Sequence, residues 1–445
     1  MLAGGDALLV IVAFNISYAI RQMELVNVFY RFKDASFLSL FIFVFVFYIA
    51  DIYSFEVRHY SVTYLIKLAV AVIVGNCMIA AAFYLFQPLM FSRIVFLLNF
   101  VFIFSFLASW RFVFYWLSKF KEKPVRIIMI GAGWAGRELY NIVEGNKDYE
   151  IVGFLDDNEK KRGPFVGTSK VIGDTSNLVS LMKDLHVDEV IVTITHGTTP
   201  VLFKRIMNAK FDGLQICDMP AFYERITGKI PIFHLSDSWL GYADFYGIKK
   251  NAYNAMKRSL DNIFAIFGII TSFPLVLVSI IAIKIESKGP VFFKQERVGE
   301  NSKTFEVLKL RTMVCGKEDK MFQSGLKNDP RVTRVGSLLR FFRIDEITQL
   351  WNVLKGDMSI IGPRSLMKEE VDDFAKDIPY FFLRHSVKPG LTGWAQVNYK
   401  HGKEIEDATE KLQYDLYYIK NLSPILDFHI LLKTVKVVLF GRGAR

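Results

Sequence analysis

The residues best suited to chemistry are gathered in positions 328–364. Arg331, Arg334, Arg340 and Arg343 lead into two adjacent carboxylates, Asp345 and Glu346. An apolar stripe follows, and Gly362-Pro363-Arg364 closes the stretch. Cations at this density call for an anionic partner, and an acid pair among them suits phosphoryl transfer. A phosphorus centre in a pyrophosphate is shielded by its own anionic oxygens, which arginines and a divalent cation neutralise and hold in line. A carboxylate nucleophile then divides the transfer into two steps. Adjacent acids raise one another's pKa, and the clustered cations are expected to offset this for Asp345. For Glu346 two roles stay open, magnesium ligand or proton acceptor. An Asp-Glu pair alone is usually a solvated helix face, so the surrounding arginines give this one its weight.

Other candidates flank this core. Lys309 and Arg311 alternate on an apparent strand, so they share a face and can both point at a phosphate. Arg331 and Arg334 suit a substrate or lipid headgroup contact. Asp329 opens a turn before Pro330 and serves either as a helix cap or in the site. Gln396, polar in an apolar-aromatic run after Pro389-Gly390, is a candidate donor-site contact. His385 and His401 have no partner spacing and read as bystanders. Leu338, Leu339, Phe341, Phe342, Leu350 and Trp351 read as core or membrane-facing packing.

The elements that position these groups belong to a membrane protein. Of the 445 residues 52% are hydrophobic and 15% aromatic, and mean hydropathy is +0.28. That is too apolar for an ordinary soluble chain. The net charge of +11 favours anionic headgroups or phosphate-bearing substrates. No nucleic-acid motif accompanies it. Cys77, Cys217 and Cys315 are scattered, without metal or disulfide spacing.

Residues 1–120 read as a transmembrane helical block of four apolar runs, 7–20, 35–52, 61–86 and 91–117, the first of them short for a span. That first run lacks a basic leader and a small-residue cleavage site, so it reads as a retained anchor. Arg111, Lys119, Lys121, Lys123 and Arg126 flank the exit and place it in the cytoplasm. Arg21, Arg31 and Lys33 in the first loop run against that topology. Lys67 is expected to snorkel.

Residues 121–235 read as a Rossmann-like α/β domain. A strand at 125–130 runs into Gly131-Ala-Gly133-Trp-Ala-Gly136 and a helix, and a second strand ends at Asp156, the spacing of a ribose-binding acid. The glycines can bind a nucleotide or serve only a tight turn. Residues 236–256 form an aromatic interfacial linker. The apolar stretch 259–283 carries Pro274 near its middle and basic residues on both flanks. A straight crossing cannot satisfy the positive-inside rule at both ends, so a re-entrant helix that bends at the proline is expected. Ser272 and Thr271 are candidates to satisfy the freed backbone groups.

Six segments then follow in order: VFFKQERVG (291–299), FEVLKLRTM (305–313), DPRVTRVGSLLR (329–340), IDEITQLWNVLKGDMSIIGPR (344–364), VKPGLTGWAQVN (387–398) and YDLYYIKN (414–421). Together they resemble the bacterial sugar transferases, the monotopic polyprenyl-phosphate phosphoglycosyl transferases, over about 190 residues. The block and α/β domain upstream resemble the large members that start exopolysaccharide, capsule or O-antigen assembly. The resemblance implies a catalytic domain at 257–445 on the cytoplasmic face of the bacterial inner membrane. It implies a UDP-sugar donor (glucose or galactose by type, with N-acetylated sugars open) and an undecaprenyl phosphate acceptor. Mg2+ or Mn2+ would be held at Asp345 and Glu346, and UMP is released through a phosphosugar on Asp345. The family's proline-arginine-proline motif falls on Pro363-Arg364, with Ser365 in place of the second proline. Its Ser-Pro helix break falls on Phe273-Pro274, with the serine displaced to Ser272. A homodimer and polysaccharide assembly partners are further expectations. Two rival readings are a membrane-anchored nucleotide-sugar dehydratase or epimerase using Tyr246 and Lys250, and a non-catalytic scaffold.

Overall fold

A computed structural model describes residues 2–22, 33–50, 52, 62–85, 93–118, 124–161, 163–176, 178–194, 199–235, 250–314, 331–399 and 405–439. The chain divides into two compact units, Met1–Lys123 and Pro124–Arg445, so the α/β and C-terminal domains form one body.

Among its described residues the first unit has the helices α1 (Leu2–Gln22), α2 (Lys33–Ile49), α3 (Val62–Leu85) and α4 (Arg93–Ser118). The first run proves longer than its apolar core suggested, because the helix extends through Gly4-Gly5-Asp6. Val10, Phe14, Phe43, Phe47, Leu68, Val72, Ile103 and Leu107 pack together between the helices. Arg111 corrects the sequence reading. Counted there among the basic residues flanking the exit, it is buried in the bundle, its Nη2 2.5 Å from Asp6 Oδ2. A cation taken from water needs such a partner, and Asp6 on α1 supplies it from 105 positions away.

The second unit opens with a six-stranded sheet of β1 (Val125–Ile130), β2 (Tyr149–Leu155), β3 (Phe165–Val166), β4 (Ser169–Gly173), β5 (Glu189–Val192) and β6 (Gln215–Asp218). The order is β3-β4-β2-β1-β5-β6, parallel except for the β3–β4 hairpin. Helices α5 (Trp134–Val143), α6 (Leu178–Asp184), α7 (Pro200–Phe211) and α8 (Met219–Thr227) alternate with the strands. Apolar clusters lie on both sheet faces, as doubly wound topology requires. Gly131 has φ +110° at the end of β1, and a Cβ on Gly136 would stand 2.2 Å from the Gly131 carbonyl oxygen. The strand-to-helix turn is therefore open only to glycine at both positions.

The C-terminal domain is built on one long helix, α9 (Lys250–Glu286). It begins inside the expected linker and runs unbroken through Pro274, so the expected interruption is absent as a gap in helical structure. Ser272 Oγ donates to the Gly268 carbonyl (2.6 Å) and Thr271 Oγ1 to that of Phe267 (2.8 Å), so these hydroxyls bond their own preceding turn and not the Ile270 carbonyl that Pro274 frees. Both ends of α9 are held by the same domain. Arg258 donates to the carbonyls of Val353 and Leu354 (2.5 and 2.7 Å), and Asp261 accepts the Ile360 N–H (3.1 Å). At the far end Glu286 accepts the N–H groups of Arg334 and Val335 (2.7 and 3.0 Å). Between these anchors Ile263, Phe267, Ile270, Phe273, Val278 and Ile281 are exposed.

Against α9 pack the antiparallel hairpin β7 (Phe292–Val298) and β8 (Thr304–Leu310) and the helices α10 (Arg334–Phe341) and α11 (Leu350–Lys355). The parallel pair β9 (Ser359–Ile361) and β10 (Gly390–Thr392) lies beside them. Helices α12 (Lys368–Asp377), α13 (Trp394–Asn398), α14 (Ile405–Lys420) and α15 (Pro424–Leu439) complete the domain. The α/β domain grips α14 and its neighbours. Glu224 takes Lys420 and Asn421 (2.5 and 2.6 Å), Lys229 pairs with Glu410, and Trp394 Nε1 donates to the Gly228 carbonyl (3.0 Å). Ile230, Ile232 and Leu235 are buried with Leu412, Leu416 and Ile430.

Candidate active site

Asp345 and Glu346 stand on a 3-10 helix, Ile344–Gln349, entered through Arg343 in a left-handed conformation (φ 54°, ψ 26°). Thr348 Oγ1 ties this helix to β8 through the Leu308 carbonyl (2.8 Å). Asn352, buried on α11, clips the same strand twice, accepting the Leu308 N–H (3.1 Å) and donating to the Glu306 carbonyl (2.7 Å). The hairpin and the dyad are thereby held in one register, and Lys309 on β8 faces Glu346.

Cations collect on Glu346. Its Oε1 is 3.3 Å from Arg364 Nη2 and 3.8 Å from Lys309 Nζ, and its Oε2 is 3.8 Å from Arg343 Nη1. Burial alone raises a carboxyl pKa, yet Arg364, Lys309 and Arg343 together hold Glu346 below the usual range. Asp345 behaves oppositely. Burial and the neighbouring Glu346 push its carboxyl up to about 6, against the pull of Lys309 and Arg340. The expected offset thus prevails at Glu346 and is outweighed at Asp345, because three cations stand directly on the second acid. Burial also lowers the Lys309 pKa, with Glu346 opposing the shift.

Glu346, Lys309 and Arg364 line a narrow cleft with Arg297, Gln349 and Ser365; Asp345 is half-buried beside it. A roomier cavity of about 270 Å³ lies between the start of α9 and Ser359, Lys388 and Tyr418, away from the dyad. Tyr253, Lys257 and Tyr418 there already share Asp427.

The remaining predicted residues divide. Arg340 stays close to Asp345, its Nε donating to Thr312 Oγ1 (2.9 Å). Arg311 is corrected. The strand ends at Leu310, so alternation does not carry past it. The buried Arg311 guanidinium turns instead to the carbonyls of Ser287 and Lys288 and to Ser287 Oγ (2.8–3.0 Å). Arg334 is exposed at the start of α10, outside the charge contacts of the dyad. Arg331 sits beside the Met313–Val332 bridge, and its carbonyl accepts the Val314 N–H. Gln396 donates to the Leu391 carbonyl (3.1 Å), supporting the cleft wall from behind. Pro363 lines a small adjoining cavity with Arg384 and His385. Burial and Arg384 push His385 down to about 4, so it is neutral at physiological pH. Of the apolar residues around the dyad, Leu339 is core, whereas Leu338, Phe341, Phe342 and Trp351 are all more than half exposed. Asp329, Tyr246 and His401 lie outside the described residues.

In the α/β domain Asp156 is turned inward. Its carboxylate accepts the N–H groups of Ala132 and Asn158 (2.9 Å each) and lies 3.5 Å from Lys161. It thus braces the turn between Gly131, Gly133 and Gly136.

Two family models match the chain: the bacterial sugar transferases over residues 252–441 and a CoA-binding domain over residues 48–207. A UDP-glucose:undecaprenyl-phosphate glucose-1-phosphate transferase of Caulobacter vibrioides is 40% identical over 190 residues, which cover 42% of this chain and 71% of that protein. The chain belongs to the bacterial sugar transferase family. Within this sugar transferase family, a UDP-N-acetylgalactosamine-undecaprenyl-phosphate N-acetylgalactosaminephosphotransferase of Aeromonas hydrophila is 42% identical over 222 residues (50% of this chain, 52% of that one). A UDP-glucose:undecaprenyl-phosphate glucose-1-phosphate transferase of Xanthomonas campestris is 32% identical over 285 residues (61% and 57%). The match therefore spans little more than half of these two relatives. Among solved structures, UDP-D-quinovosamine 4-dehydrogenase of Vibrio fischeri aligns with 24% of this chain and 88% of its own, at 21% identity and a TM-score of 0.21. That likeness is too slight to bear on function.

Two arginines at or beside the cleft were not singled out as site residues in the sequence reading. Arg297 lies inside a motif segment, but a lone arginine on a strand carries no sign of facing a cleft. Arg384 is paired with Asp415, 31 positions away, beyond any local pattern.

Proposed function

We propose that this sugar transferase moves a sugar-1-phosphate from a UDP-sugar to undecaprenyl phosphate and releases UMP. The observation that carries the proposal is the division of labour in the dyad. Glu346 is caged by three cations, while Asp345 beside it keeps a carboxyl of raised pKa at the edge of a cationic cleft. A raised pKa near the working pH leaves the anion available and basic enough to attack. Asp345 forms a bond to the sugar-bearing phosphorus, and the bridging oxygen leaves with UMP. A phosphate oxygen of the lipid acceptor then takes the same phosphorus, and the aspartate carboxylate is released. Arg364 and Lys309 are placed to meet the charge on the donor diphosphate.

Adjacent carboxylates are hard oxygen donors of the kind that Mg2+ or Mn2+ takes together with substrate phosphates. Among the described residues no cluster of three or more His, Cys, Asp or Glu forms a cage of protein ligands alone. Asp345 and Glu346 are the residues that would hold such a cation. When bound, it screens the pyrophosphate charge.

On this reading the catalytic domain works at the cytoplasmic face of the inner membrane. Both ends of α9 are anchored in one domain, and its exposed apolar middle needs lipid, which supports re-entry with a bend inside a continuous helix. Leu338, Phe341, Phe342 and Trp351 extend that apolar surface beside the dyad, where a lipid acceptor would arrive. Helices α1 to α4 are read as membrane-crossing; among the described residues α1 is long and apolar enough by composition, and α2, α3 and α4 carry shorter apolar stretches. The test is UMP release from UDP-glucose, UDP-galactose, UDP-N-acetylglucosamine and UDP-N-acetylgalactosamine with magnesium and undecaprenyl phosphate. Release with one of these donors is expected; no release with any of them contradicts the proposal.

A further inference from the structure

Arg364 reaches Glu346 from a segment with little secondary structure of its own, since β9 ends at Ile361 and α12 begins at Lys368. What fixes that segment is a row of four successive carbonyls, each with its own donor. Pro363 O accepts from the Gly390 N–H (2.9 Å) and Leu366 O from the Val298 N–H (2.9 Å). Between them Arg364 O accepts from Arg384 Nη2 (3.0 Å), and Ser365 O from Arg297 Nη1 (3.2 Å). Two backbone amides and two guanidinium groups thus hold the place where the family has a second proline and this chain has Ser365.

Of the two arginines, Arg297 also lines the cleft, whereas Arg384 does not. Arg384 is 6% exposed, and its Nη2 also donates to Asp415 Oδ2 (2.9 Å), itself 2% exposed. Its guanidinium lies over the Phe381 ring, 5.1 Å from the centroid. Asp415 belongs to α14, the helix gripped by the α/β domain. Asp415 thus holds the guanidinium from α14, while Arg384 lines the small adjoining cavity with Pro363, Arg364 and Ser365.

We propose that Arg384 is a positioning residue: with Asp415 as its buried counter-charge, it sets the main chain at Arg364 so that the Arg364 guanidinium meets Glu346. This inference rests on the reaction proposed above for its kinetic consequence, but not for the geometry. Both contacts leave from Nη2, and Arg384 is not among the residues lining the cleft with Glu346 and Arg364, so its influence on turnover is read through Arg364.

Two replacements test this. Arg384→Lys keeps the charge and loses the fork. The pair Arg384→Met with Asp415→Leu removes both charges together, which avoids leaving one of them buried and unpaired. In folded protein, judged by an unchanged melting transition, both should raise the KM for the UDP-sugar by about tenfold or more. In an Arg364→Ala background the same replacements should change it by less than about twofold, because the group they act through is gone. Hydrogen–deuterium exchange of the peptide covering 362–367 should rise in both, with the rest of the catalytic domain as in the parent. Equal kinetic losses in the two backgrounds would overturn the inference. So would unaltered exchange at 362–367, or a rise spread over the whole domain. If the parent protein releases no UMP from any donor, the proposed reaction falls, and local exchange still decides whether Arg384 holds the segment.

Discussion

Arg364 Nη2 stands 3.3 Å from Glu346 Oε1, and this pair sets the two acids of the dyad apart. With Lys309 and Arg343 also on Glu346, the second carboxylate is kept charged. Its negative charge, added to burial, raises Asp345 to about 6. The neighbour that is easiest to ionise thus keeps the nucleophile basic.

A pH dependence follows. Protonated Asp345 cannot attack, so kcat/KM should fall by about tenfold per unit as pH drops below about 6. Glu346→Gln removes the like charge, so the acidic limb of its residual activity should move to lower pH. Lys309→Met removes a stabilising cation and should move it up. Rate profiles between pH 4.5 and 8, roughly spanning the limb, check both signs.

Lys309 and Arg311 should separate cleanly. Arg311→Gln leaves the carbonyls of Ser287 and Lys288 without their donor and should lower the melting temperature. The folded fraction should keep a donor KM within about threefold of the parent. Lys309→Gln should do the reverse, with near-parent stability and a donor KM raised by about tenfold or more. Melting curves and donor titrations of the two variants read this directly.

This contrast shows what could be read from the chain. That Lys309 and Arg364 gather at the dyad was legible because two adjacent acids among so many cations need opposite charges beside them. The doubly wound domain was legible because its strands alternate with helices and its glycines sit at a strand end. Arg311 was misread because alternation says nothing about where a strand stops. Arg111 was misread because a charge near the end of an apolar run looks solvated until Asp6, far off in sequence, is seen beside it. The unequal sharing of cations between Asp345 and Glu346 is a matter of ångströms, which spacing along a chain does not contain.

Asn352 should be a structural determinant of the site. Its amide satisfies two backbone groups of β8 from a position 1% exposed. Asn352→Leu strands both and should cost roughly 2–4 kcal/mol. A clear fall in melting temperature, with activity lost in proportion to unfolded protein, is the expected result.

Both ends of α9 should be accessible from one side of the membrane. In a background freed of native cysteines, Ala255→Cys and Lys288→Cys should both react with an impermeant maleimide in inside-out vesicles. Neither should react in right-side-out vesicles. Labelling of the two positions from opposite sides would establish a straight crossing instead.

The central claim is that Asp345 carries the sugar phosphate. Protein incubated with its UDP-sugar and magnesium, without lipid acceptor, can be weighed intact and then mapped by peptide. The account predicts a gain of one sugar-phosphate on the peptide containing Asp345, together with an equal amount of UMP, and neither in Asp345→Asn. UMP released with no change in protein mass, or an adduct on any other residue, would contradict it.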